Sequence, residues 1–428
     1  MSVQELRLPL RFADLLVFLI PVTGFIEFNL IGRLFLPDLL LIAILPLMLA
    51  RLGRLLWQPL PRTFLAFGVL WLISQALTDL ILATPFDDLA RGWAKITFTL
   101  LSFMTLYLLI DGRYSRILLY LLGLAVGGLL AYFFNPGTYA EGHPWKFGIG
   151  VPVTLFFVVM ASITRNRRAA VWLMIAAGVL NVLLGYRSLG GICLLTALLL
   201  PVFAIVKART IRLPTLFLVG AVLITVSWGL LTLYEQAAKA GILGEQAQEK
   251  YLRQSSGSLG LILGGRSGIF GAIAAIKDSP IIGHGSWAKD CHYYMMWAFA
   301  MIEHGYQPPI NILRPDPEEW GDCLIPSHSH ILGAWLEAGF VGALVWFWLL
   351  LLIAKTCASY LMKSHKPSAI EIFVAILLAW DILFSPFGAE RRFVTPYYIV
   401  VVMYSYRQRG EEMIGRAPTA AAPVTGLS

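Results

Sequence analysis

Residues 64–83 read FLAFGVLWLISQALTDLILA, and residues 213–234 read LPTLFLVGAVLITVSWGLLTLY. The hydrocarbon core of a bilayer is about 30 Å thick and takes roughly 20 apolar residues of helix to cross. Both runs reach that length with hardly a charge. Similar runs recur along the chain, which is 58% hydrophobic and only 14% charged over 428 residues, far more apolar than a soluble protein of this size. The composition therefore calls for an all-α, polytopic transmembrane helical bundle. Gly, Pro and charge breaks divide it into twelve expected spans, starting near positions 13, 35, 64, 92, 115, 148, 169, 188, 213, 329, 369 and 393. The first run leads straight into the second without a small-residue cleavage site, so we expect it to be retained.

Charge sets the orientation. Arg7, Arg11, Arg51, Arg54, Arg62, Arg113, Arg116, Arg165, Arg167, Arg168, Lys207, Arg209, Arg212, Lys355, Lys363, Lys366, Arg407, Arg409 and Arg416 all fall on one side of this layout. They are more than half of the 33 basic residues. The positive-inside rule makes that side cytoplasmic, with both termini inside. The formal charge of +8 is spread over short interhelical segments, so it does not describe a nucleic-acid surface. Spans one to nine then occupy 1–234, a large outer loop 235–328, spans ten to twelve 329–409, and a disordered cytoplasmic tail 410–428. Cys291 and Cys323 fall in the loop, where an oxidising compartment either pairs them or leaves two thiols; spacing alone does not decide.

The informative charges break the rule. Arg187, Arg266, Arg391 and Arg392 lie outside, close to span ends. The guanidinium fork fits phosphate oxygens, so several converging outer arginines suit a lipid-linked diphosphate; the ordinary alternative is snorkelling to headgroups. Glu27, Asp79 and Asp381 are expected at the outer ends of their helices, around a polar cavity open to the outside.

Within the loop, 264–280 (GGRSGIFGAIAAIKDSP) has apolar residues at helical spacing between a Gly-rich entry and a Pro stop. It reads as a helix on the membrane surface whose free first-turn amides, with Arg266, would hold an anion. Residues 282–287 (IGHGSW) read as a tight turn, and 292–322, with four Pro, as an irregular lid. The loop ends in PSHSHILGAWLEAG (326–339), which puts His328 and His330 at the outer membrane surface. A neutral imidazole there could take a proton from an attacking hydroxyl. The metal alternative, drawing on His284, His292, His304, His328 and His330, lacks zinc-ligand spacing on both sides of the site. Glu337 lies near half a rotation from His328 and reads as a positioning partner.

Three elements together resemble the bacterial O-antigen ligase and polymerase superfamily. These are Arg187 within GYRSLG (185–190), the Gly265 and Arg266 pair opening a helix that runs to Pro280, Gly283 and Gly285, and the series His328, Leu332, Glu337 and Gly339 entering the next span. Ser329 follows the His where the family usually has Asn. The resemblance implies a GT-C type glycosyltransferase of the bacterial inner membrane. Its donor is a glycan on undecaprenyl diphosphate and its acceptor is the lipid A core, with no metal or other cofactor. It implies catalytic roles for His328, as general base, and for Arg187 and Arg266, and substrate contacts for Arg391, Arg392, His330 and Glu337. A ligase is favoured over a polymerase, because the Arg-x10-Gly pattern of polymerases fits Arg253 to Gly264 no better than several unrelated places. A flippase or transporter would instead concentrate charge at the membrane midplane and show symmetric broken helices.

Overall fold

The computed structural model describes residues 10–30, 32–205, 266–306, 323–361 and 366–414, with scattered positions between 229 and 252. The described chain is almost wholly helical. Its helices are α1 (Leu10–Val22), α2 (Leu36–Leu52), α3 (Pro59–Ile81), α4 (Phe86–Ile110), α5 (Tyr114–Phe134), α6 (Thr138–Gly142), α7 (Gly150–Ile163), α8 (Arg167–Leu183), α9 (Arg187–Ile205), α10 (Ile269–Asp278), α11 (Cys291–Glu303), α12 (His330–Leu361), α13 (Ala369–Phe384) and α14 (Arg391–Ile414). Among the described residues, seven helices are long and apolar enough to cross a membrane, so this is a multi-pass membrane protein. The span expected from 213 lies outside the described residues.

Helix α13 organises the bundle. It packs against α7, α9, α12 and α14, and Ile370, Phe373, Val374, Leu378 and Ile382 are buried along it. Ser368 and Glu371 form a capping box at its start, with Ser368 N–H donating to Glu371 Oε2 at 2.8 Å. Helices α8 and α9 lie close together because Gly178 and Gly190 face each other; a Cβ on Gly190 would stand 2.8 Å from the Gly178 carbonyl.

Several expectations need correction. Glu27 is not at a helix end: it sits in a short antiparallel ribbon, β1 (Glu27–Asn29) against β2 (Arg33–Phe35). There it approaches Arg33 at 4.0 Å and accepts from Asn135 Nδ2 at 3.1 Å. The tenth span does not run unbroken from 329. Gly339 has φ 68° and ψ −173°, which breaks α12 into a short N-terminal piece and a segment, 340–361, that is still long enough to cross. The last helix continues past Gly410 to Ile414, beyond the expected start of the tail.

The start of the supposed lid is also ordered. Residues 291–303 form α11 because the Asp290 carboxylate caps it, accepting from His292 N–H at 2.7 Å. Tyr294, Trp297, Ala298 and Met301 then bury one stripe at helical spacing. The four prolines that suggested irregularity come later, outside the described residues. Cys291 and Cys323 form a disulfide that joins the start of α11 to the strand-like segment leading to His328, where Lys289 and Leu324 make a β-bridge.

Candidate functional site

The site is assembled on the C-terminal end of α13. A helix C-terminus leaves carbonyls without intrahelical partners and carries partial negative charge. Here the segment before α10 and the start of α12 supply the missing donors. Ser329 Oγ donates to the Ile382 carbonyl at 2.8 Å, Arg266 Nε to Phe384 at 3.2 Å, and His330 Nδ1 lies 2.7 Å from the Ser385 oxygen. Residues far apart in sequence are thereby held within one turn of one helix.

Arg266 lies with its guanidinium over the rings of Trp380, 4.6 Å away, and Phe384, 5.3 Å away. Its Nε donates to the Phe384 carbonyl, and together with the stacking this fixes the plane of the fork. Burial lowers its pKa from the usual arginine value, and the nearby charge of Arg187 adds to that. The helix start itself differs from expectation. The amides of Ile269 and Phe270 donate to the carbonyls of Arg266 and Ser267 in a tight first turn. These two amides are therefore not available to an anion.

His328 has φ +46°, a left-handed conformation that costs energy for a residue with a Cβ. The turn it makes starts α12, where Ser329 accepts from Gly333 N–H through its carbonyl and from Leu332 N–H through its hydroxyl. The imidazole rests on Gly268, with Nδ1 buried and without a hydrogen-bond partner. Burial pushes its pKa below the ordinary histidine value, and the charges of Arg266 and Lys146 push the same way. The ring is neutral at pH 7.

Lys146 was not singled out from the sequence. It sits in a π-turn, Trp145–Ile149, just before α7, and the charges of both Arg187 and Arg266 act on it. Trp145 Nε1 donates to Asn181 Oδ1 at 3.1 Å, and Asn181 Nδ2 donates to Thr154 Oγ1 at 2.7 Å. That buried amide ties the Lys146 turn to the end of α8. The same Asn181 accepts from Tyr186 N–H through its carbonyl, in the Gly185 turn that launches Arg187 and α9. One residue thus positions both cations. The available signal was an outward Lys at a span start, the same departure from the positive-inside rule that picked out the arginines.

The other sequence candidates are engaged by partners within the fold. Arg391 pairs with Asp381 at 2.6 Å, and Arg392 pairs with buried Asp38 at 2.9 Å, donates to the Arg33 carbonyl and covers Phe98. His330 is buried between Trp346 and Phe387. Glu337 pairs with Lys95 of α4. Glu27, Asp79 and Asp381 each have partners of their own: Arg33 and Asn135, Ser286 and Trp93, and Arg391.

Asp79 explains the Gly283 and Gly285 turn. Its carboxylate accepts from Ser286 N–H at 2.6 Å, Ser286 Oγ at 2.7 Å and Trp93 Nε1 at 2.8 Å. The turn is wedged into the break in α12: a Cβ on Gly283 would stand 2.6 Å from Gly339 N, and His284 and Gly285 N–H donate to the Leu336 and Glu337 carbonyls. The loop is thus clamped to α3 and α12 a few residues after α10.

No family model matches the chain, and neither a curated protein nor a solved structure matches it.

Proposed function

We propose that the chain is a twelve-span, GT-C type glycosyltransferase of the bacterial inner membrane, acting as an O-antigen ligase. It transfers a glycan from undecaprenyl diphosphate to the lipid A core at the periplasmic face, with both termini in the cytoplasm. One observation carries this reading: a neutral, strained His328 is packed against the Arg266 turn, beside the further cations Arg187 and Lys146, at one end of the bundle.

The chemistry follows from those groups. Nδ1 of His328 is sealed against Gly268, which leaves Nε2 to take the proton of an acceptor hydroxyl. The hydroxyl oxygen attacks the anomeric carbon from the face opposite the carrier, and the bond to the diphosphate oxygen breaks with inversion. The diphosphate leaves with the electron pair and gains negative charge. Arg266, Arg187 and Lys146 stabilise that charge in a site shielded from water. The family resemblance points to the same donor. Cations gathered at one end of the bundle favour it over a transporter, whose charges should lie at the membrane midplane.

The test is the lipopolysaccharide of a deletion strain. Core with no attached glycan, and polymer kept on the carrier, is the expected result. Core capped by a single repeat unit would make the protein a polymerase, and unchanged lipopolysaccharide would remove both assignments.

A further inference from the structure

The bundle encloses a second feature far from His328. Helix α4 meets the loop at Gly92, which lies against Ser286, and at 1.5 Å per residue its far end at Asp111 is about 28 Å away. At that end lies a cavity of about 600 Å³, within the range of about 300–1,000 Å³ usual for ligand sites. Leu60, Ile110 and Met403 form apolar wall, and Gln58, Tyr107, Asp111 and Arg407 supply the polar groups.

Those polar groups are fixed. Gln58 Oε1 accepts from Tyr107 Oη and from Arg407 Nη1, each at 2.9 Å, which sets the guanidinium beside the cavity. Asp111 closes α4 in a left-handed conformation, φ +49°, and Arg113 approaches it only loosely, at 3.9 Å. An exposed cation and a half-buried carboxylate therefore share one apolar-walled opening. Arg54, Arg62 and Arg113 lie in the segments that border it, a setting that attracts phosphate headgroups.

We propose that this cavity binds a zwitterionic, amine-bearing glycerophospholipid, with its phosphate on Arg407, its ammonium on Asp111 and an acyl chain along Leu60, Ile110 and Met403. A headgroup without the ammonium would leave Asp111 beside the phosphate with no cation of the lipid to offset it, which is how the site selects. The inference does not rest on the glycosyltransferase reading.

The experiment equilibrates purified full-length protein with mixed micelles containing equal amounts of phosphatidylethanolamine and phosphatidylglycerol, and measures retained lipid by mass spectrometry. The wild type should retain mainly phosphatidylethanolamine. Arg407→Gln should retain at least tenfold less phospholipid, and Asp111→Asn should keep lipid but lose the preference. Leu60→Trp fills the cavity without touching either charge and should also exclude lipid, which guards against misfolding of the Arg407 variant. Preferential retention of phosphatidylglycerol by the wild type overturns the headgroup assignment. Equal retention by the wild type, Arg407→Gln and Leu60→Trp overturns the site.

Discussion

The imidazole of His328 lies against the backbone of Gly268, so closely that a Cβ there would stand 2.3 Å from Nδ1 and 2.9 Å from Cβ of Pro326. The two ends of a long loop are thereby fitted to each other, and His328 cannot relax into a bulkier neighbour. Gly268→Ala should displace the ring. Overpacking of this kind costs about 1–3 kcal/mol, and moving a base by about 1 Å can cost roughly 10²-fold in rate. We expect a folded protein with a modestly lower melting temperature and at least tenfold lower transfer. Unchanged transfer would mean that the ring position is not critical.

Transfer should fall in acid. His328 resists protonation in the folded protein because of burial and the charges of Arg266 and Lys146. The folded pKa is lower than the unfolded one, so the unfolded state binds more protons below about 6.5, and the stability contributed by the neutral ring is lost as pH falls through that range. The active form is neutral, so the rate should be flat above that range and decline below the depressed pKa. Arg266→Gln removes one repelling charge and should move the acid limb of the pH–rate profile upward. An acid limb that stays in place would separate the two residues electrostatically.

Arg266→Lys keeps the charge but loses both the stacking on Trp380 and Phe384 and the Nε bond to the Phe384 carbonyl. We expect the KM for the diphosphate-linked donor to rise at least tenfold, with little shift in the pH profile. Trp380→Ala should produce a weaker effect of the same kind. Steady-state kinetics over a donor series would measure both.

The all-α, multi-pass character was legible because membrane helices announce themselves by length and apolarity, as in Phe64–Ile81 and Phe340–Leu361. Arg266 and His328 were legible because an outward cation and a histidine at a span entry each break a compositional rule. Other features depend on contacts that sequence does not display. The fate of Arg391 and Arg392 was decided by Asp381 and Asp38, on other helices. The occupied amides at the start of α10 depend on a tight turn, the order of 291–303 on a cap from Asp290, and the break at Gly339 on the turn at 281–285 pressing into α12. Lys146 looked like an ordinary loop lysine until Asn181 brought its turn beside Arg187.

Asp79→Asn should loosen the loop without touching the cations. The carboxylate accepts from three donors on Ser286 and Trp93, and hydrogen bonds to a charged group are worth about 1.5–3 kcal/mol. The amide cannot satisfy all three. A fall in melting temperature together with faster proteolysis near residues 280–287 is expected, and Asp79→Glu should not restore the wild-type pattern, because Gly92 and Gly285 leave no room around Ser286 and Asp79 for a longer side chain. Wild-type protease resistance in Asp79→Asn would show that the clamp is dispensable.

The most direct test uses purified protein, a polyprenyl-diphosphate-linked glycan and lipid A-core acceptor, with wild type and His328→Ala compared at equal folded concentration and pH 7.5. The account predicts glycan on the acceptor with the wild type, with and without a chelator, and a loss of about 10²-fold or more with His328→Ala, in the range of a missing general base. Full activity of His328→Ala, or movement of the donor across a bilayer without any transfer by the wild type, would contradict it.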